Sequence, residues 1–112
     1  MHLHVILNDP MPMESFGNYA CAVACFCSVP QTGLPFDQTR IFEAGSHPFF
    51  VRQTYVAYKH FQVMQSQHLT NCIQNGPFTV RDPSFSAEEV QWIIEGYKTS
   101  TRVPRMYKGL PL

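Results

Sequence analysis

The run Tyr19-Ala20-Cys21-Ala22-Val23-Ala24-Cys25-Phe26-Cys27-Ser28-Val29 constrains this chain more than any other, since eleven residues pass with one phenolic and one hydroxylic polar atom before Pro30 stops them. Successive side chains on a strand point to opposite faces, so a run this apolar predicts a strand covered on one face and, near its middle, on both. A chain of 112 residues holds one core, burying somewhat under ~70% of its unfolded surface. The remaining segments are expected to pack around this strand. Nine prolines and six glycines, spread along the chain, favour short elements separated by turns over a helix bundle or a disordered chain.

His2-Leu3-His4-Val5-Ile6-Leu7, cut by Asn8-Asp9-Pro10, predicts a first strand. Met11 to Gly17 reads as an irregular loop with a second turn at Gly17-Asn18, and Gln31 to Asp37 as another loop. Thr39 to Glu43 predicts a short strand. Thr54-Tyr55-Val56-Ala57-Tyr58 predicts a strand with Thr54, Val56 and Tyr58 on one face, continuing in alternation through Lys59 to Met64. Helical signals come later. Ser66 is placed to cap a helix carrying Leu69, Cys72 and Ile73 and stopped by Gly76-Pro77. Ser86-Ala87-Glu88-Glu89 is a capping box ahead of the stripe Val90, Ile93, Ile94 and Tyr97. The expected fold is mainly β with α: about five strands closing or half-closing into a small barrel, plus one or two C-terminal helices. One domain is expected over 1–112, with a sheet part at 1–65, a helical part at 66–98 and a basic tail at 99–112.

The formal net charge is zero, which gives no bulk signal for nucleic acid or membrane. Yet four of the eight basic residues, Lys98, Arg102, Arg105 and Lys108, lie in the last fifteen positions, and no carboxylate side chain follows Glu95. Mixed with Trp92, Tyr97 and Tyr107, they match the aromatic and basic composition of single-strand nucleic-acid binders, or equally a tail that lies back on the sheet or meets a partner protein. No secretory signal and no run of ~18 apolar residues is present, so the expectation is a cytoplasmic protein without membrane attachment.

Cys21, Cys25, Cys27 and Cys72 invite a metal reading, but along a strand Cys21 and Cys25 stand about 13 Å apart, too far to meet at one ion. Buried structural thiols are expected, and no cofactor. His2 and His4 share a face, suited to a weak metal or anion contact or simply to an exposed edge. The stretch from Ala44 to Tyr58 carries more chemistry. Gly45 and Pro48 fix a turn around His47, whose titration range suits acid or base work near neutrality. Arg52 and Thr54 alternate onto one face, where a guanidinium could hold a phosphate beside a hydroxyl. No Walker loop, dinucleotide fingerprint, nucleophile elbow or zinc-knuckle spacing is present.

Glu43-Ala44-Gly45-Ser46-His47-Pro48-Phe49-Phe50, followed by Thr54-Tyr55-Val56-Ala57-Tyr58, resembles a pattern of small bacterial proteins grouped with PemK/MazF-like toxins. The resemblance covers roughly Leu3 to Leu69, with a late serine, Ser100, fitting less specifically. It implies an SH3-like β-barrel with appended helices. It also implies a toxin of a toxin–antitoxin pair, acting as a metal-independent endoribonuclease with RNA as substrate and an antitoxin protein as partner. In that chemistry a base activates a ribose 2′-hydroxyl and a cation stabilises the phosphate. His47 is the candidate acid or base, Arg52 the cation and Thr54 an orienting hydroxyl, while Phe49, Tyr55, Tyr58, Arg102 and Arg105 are candidate RNA or ligand contacts. The rival reading is a non-catalytic SH3-like module that binds a protein or peptide through Phe49, Phe50, Tyr55 and Tyr58, or a phage or mobile-element inhibitor of a host complex. A homodimer is expected from the long apolar strand in so small a domain.

Overall fold

The computed structural model describes residues 2–13, 16–17 and 19–112. The apolar run forms β3 (Tyr19–Ser28), which pairs along both edges. One edge takes β1 (His4–Ile6), with His4 opposite Cys25 and Ile6 opposite Val23, and then β2 (Met11–Pro12) opposite Ala20 and Tyr19. The other takes β6 (Gln62–Gln65) opposite residues 20–23 and β5 (Thr54–Val56) opposite residues 26–28, with β4 (Ile41–Phe42) beyond β5. The result is an open, antiparallel, six-stranded sheet. Asn8 bridges the break between β1 and β2: its Oδ1 accepts from Ala22 N at 2.7 Å and its Nδ2 donates to Ala20 O at 3.2 Å. The side chain thus replaces the ladder bonds that Asp9-Pro10 interrupts.

Both faces of β3 are covered, as its composition predicts. Ala22, Ala24 and Phe26 enter the main core with Phe42, Val56, Tyr58, Phe61 and Ile93, and the opposite-facing Cys21, Val23 and Cys25 are each under 5% exposed. The alanines matter here. Their small side chains let the bulky residues of neighbouring elements close over the sheet.

α2 (Ala87–Thr99) begins at the predicted capping box: Glu89 N donates to Ser86 Oγ at 3.1 Å and Ser86 N to Glu89 Oε1 at 2.8 Å. It buries Ile93, Ile94 and Tyr97 against the sheet. Ser86→Ala is expected to lower stability by about 1 kcal/mol in urea denaturation, with little change in the slope. Trp92 sits at the edge of this interface, its ring T-shaped against Phe42 at 5.1 Å and covered by the Arg40 guanidinium at 4.9 Å. α1 (Ser66–Asn75) behaves differently. It buries no residue, Ile73 is 38% exposed, and Ser66 lies within the first turn rather than capping it, with Gln65 at the cap position.

Two of these expectations are corrected. The strand expected from Thr54 to Met64 is broken by a 3-10 turn at Tyr58–His60, because the Tyr58 hydroxyl reaches back to Ile93 O of α2 at 2.6 Å and pulls the chain out of the sheet. The expected loop from Met11 to Gly17 begins as β2, and its turn at Asn18 lies outside the described residues. The tail lies back on the body, one of the alternatives its composition leaves open. A 3-10 turn at Arg105–Tyr107 returns it to the core, where Val103 is buried and Tyr107, Leu110 and Leu112 pack. The Tyr97 hydroxyl fastens it by donating to Tyr107 O and accepting from Leu110 N at 3.0 Å.

Candidate functional site

The central turn is closed by its own backbone: Gly45 N donates to Phe50 O at 2.8 Å and Phe50 N to His47 O at 2.9 Å, with Gly45 at a φ of 83°. That geometry folds His47 inward. Its ring is 6% exposed and stacks on Phe85 at 4.4 Å, with Phe49 at 4.6 Å and Phe50 at 5.7 Å. Nδ1 accepts from Phe49 N at 3.2 Å, which leaves the hydrogen of a neutral ring on Nε2, and Nε2 is buried with no partner. Thr54 is also buried, and its hydroxyl donates to the Arg52 carbonyl at 2.9 Å. The Arg52 side chain is exposed. Among the described residues no hydrogen bond joins His47 to Arg52 or Thr54.

Two of the aromatic candidates are committed elsewhere. Tyr58 is fully buried, with burial pushing its phenol well above the usual range, so no ring face is left for a base. Phe49 is half-buried, edge-on to Phe85 and covered by the Arg81 guanidinium at 5.0 Å.

Two of the remaining candidates, one from the central stretch and one from the tail, come together. Tyr55 and Arg102 line one recess together with Phe36, Asp37 and Lys59, the Phe36 and Tyr55 rings lying 5.0 Å apart. The recess holds about 20 Å³, room for a water or a phosphate oxygen and not for a base. Beside it, Tyr97, Lys98, Ser100 and Lys108 line an open groove of about 390 Å³. Ser100 joins the two by donating to Asp37 Oδ2 at 2.7 Å. Lys59 and Arg102 thus line the recess that holds Asp37, and Lys98 and Lys108 the groove that holds its Ser100 partner. Arg105 is exposed on the same tail but lines neither hollow.

Asp37 organises this face. Oδ1 accepts from Thr39 N at 2.9 Å and Thr39 Oγ1 at 2.5 Å, and Oδ2 from Ser100, whose Oγ also accepts from Arg102 N at 3.1 Å. Burial alone would raise the carboxyl's pKa; the Thr39 and Ser100 bonds, with the Arg102 charge, outweigh it and hold it below the usual range. The sign follows. A carboxyl depressed in the folded state stabilises fully above its unfolded value of about 3.9, and that contribution is lost as pH falls through the lower folded value. Asp37→Ala, which leaves the Ser100 and Thr39 donors unpaired, is expected to cost about 1–3 kcal/mol at neutral pH and to flatten the acid limb of a stability–pH profile.

Lys59, Phe36 and Asp37 are not among the residues that spacing singles out, since alternation from Thr54 to Met64 sets Lys59 on a continuous strand. The Asp37-Gln38-Thr39 turn was the legible signal, since a carboxylate two residues before a hydroxylic residue closes such a turn. No family model, curated protein or solved structure matches this chain. Among the described residues no helix is long and apolar enough to cross a membrane.

Proposed function

We propose that this chain is a small-barrel protein of the PemK/MazF-like kind that binds single-stranded RNA, laying the phosphodiester backbone along Lys59, Arg102, Lys98 and Lys108. The observation that carries this reading is the meeting of Arg102 and Lys59 with Phe36 and Tyr55 in one recess, beside a groove flanked by two more cations. A positively charged groove combined with aromatic rings is what sequence-tolerant single-strand binders use. The SH3-like reading draws support from a long strand paired on both edges and a 3-10 corner between β5 and β6. An antitoxin-like partner and a homodimer belong to the same reading.

The test is fluorescence anisotropy with a labelled single-stranded RNA across salt concentrations. About four phosphate contacts give a slope of log affinity against log salt near −2.8. A slope near zero would rule the cationic face out.

A second reading, a metal-independent endoribonuclease centred on His47, is favoured by one observation: its buried Nε2 has no hydrogen-bond partner. Such a nitrogen, carrying the hydrogen of the neutral ring, suits donation to a phosphate oxygen that arrives when Phe85 moves aside. Induced expression in bacteria separates the two. Growth arrest with RNA fragmentation, lost in His47→Ala/Arg52→Ala while soluble protein persists, supports cleavage; intact RNA with abundant wild type leaves binding alone.

A further inference from the structure

The two short motifs that the sequence sets far apart, His2-Leu3-His4 and Cys25-Phe26-Cys27, are brought together by the β1–β3 ladder. His4 pairs with Cys25 in an antiparallel register, and Phe26 N donates to Leu3 O at 3.0 Å, carrying the pairing past the end of β1. Two further steps set His2 opposite Cys27 and diagonal to Cys25. Residues directly opposite have Cβ atoms about 5 Å apart, and i, i+2 side chains on a strand share a face, so three donors gather on one side of the sheet. His2 offers an imidazole nitrogen and the two cysteines their sulfurs, with all three ligand atoms within 4.8 Å of one another. Both cysteines are free of disulfides. His2 is exposed, Cys27 half-buried and Cys25 buried, its thiol directed weakly at Phe26 O at 3.7 Å. His4, on the same face, donates from its Nδ1 to the His2 carbonyl at 3.1 Å, steadying the segment that carries the third donor.

From this geometry we infer that His2, Cys25 and Cys27 form a zinc site, with solvent in the fourth position. Two thiolates and an imidazole are a standard zinc donor set, and tetrahedral coordination asks for sulfur–sulfur and sulfur–nitrogen separations of about 3.6–3.8 Å. The donors need to close by roughly 1 Å from their 4.8 Å limit, which side-chain rotation at an exposed His2 and a half-buried Cys27 supplies. The balance is simple: Zn²⁺ displaces the two thiol protons and takes the neutral imidazole, so binding releases up to two protons and involves no redox change. Cys21, on the same strand face, is excluded by distance, and Cys72 belongs to α1 beside His68 at 3.6 Å. The site is independent of the RNA reading. It would fasten the N-terminal arm to the central strand.

The experiment is a cobalt titration of reduced, untagged full-length protein, followed by zinc back-titration. One equivalent of Co²⁺ is expected to give the near-ultraviolet thiolate-to-cobalt charge-transfer band and strong tetrahedral visible bands, both bleached by Zn²⁺. Cys27→Ser and His2→Ala, at exposed or half-exposed positions that leave the core intact, are expected to weaken binding by at least about a hundredfold, while Cys21→Ser and Cys72→Ser leave it unchanged. Absence of the charge-transfer band in folded wild type would overturn the site. So would a band that survives Cys27→Ser or that requires Cys72.

Discussion

Tyr58→Ala is expected to lower stability by about 3–5 kcal/mol, the largest effect of any single substitution considered for this fold. Tyr58 is among the largest fully buried side chains, and its hydroxyl is the only polar group tying the 3-10 turn directly to Ile93 O of α2 among the described hydrogen bonds. Truncation opens a cavity between sheet and helix and removes that tie together. Since small domains are stable by ~5–15 kcal/mol, much of the margin goes with it. The same contact is tested from the helix side. A Cβ added at Gly96 would run into the Tyr58 hydroxyl and come within 2.5 Å of Arg40 Cγ, so this glycine is where α2 leaves room for both side chains. In an exposed helix, Gly→Ala stabilises by about 1 kcal/mol. Here Gly96→Ala is expected to cost about 1–3 kcal/mol instead, because neither the Tyr58 ring nor the Arg40 stem has room to yield. Tyr58→Phe, which keeps the ring, is expected to lose only about 1 kcal/mol and to relieve part of the Gly96→Ala penalty in the double variant. Urea midpoints of the wild type and the four variants give the comparison.

The second large effect concerns RNA. Lys59→Glu/Arg102→Glu reverses the two cations of the recess, half of the four that line the recess and the groove, and is expected to reduce affinity for single-stranded RNA by on the order of a hundredfold at low salt. The magnitude of the salt slope should fall by about two phosphate contacts' worth, roughly 1.4. Both side chains are exposed, so the fold should persist, which near-ultraviolet circular dichroism checks. Arg52→Glu serves as the comparison: its charge change is the same in sign, but it stands at the central turn and not at the basic face. An equal loss in Arg52→Glu would point to bulk charge and against the named groove.

What the sequence made legible was local. The capping box at Ser86 and Glu89, the apolar stripe of α2 and the doubly covered strand follow from spacing within a dozen residues, and each has its expected partner nearby. What stayed hidden was set by partners far along the chain. Tyr58 leaves the sheet for Ile93, 35 positions later, and Asp37 meets Ser100 63 positions later. Spacing along one strand keeps Cys21 and Cys25 from sharing an ion; the cross-strand register that brings His2 to Cys27 depends on how β1 pairs, which no spacing within β3 contains. His47 illustrates the same limit, since the Phe85 ring that seals it comes from the segment leading into α2. Of the residues expected to contact RNA, Tyr55 and Arg102 share a recess, Arg105 stands apart on the tail, and Tyr58 is spent on the core.

Backbone amide chemical-shift mapping during titration with a short single-stranded RNA tests the central claim most directly. RNA bound along the basic face should move the amides of Tyr55, Lys59 and residues 97–110, with saturation that weakens as salt is added. Shifts confined to residues 44–54 and Phe85, or none in folded protein at low salt, would contradict the assignment of RNA binding to this face.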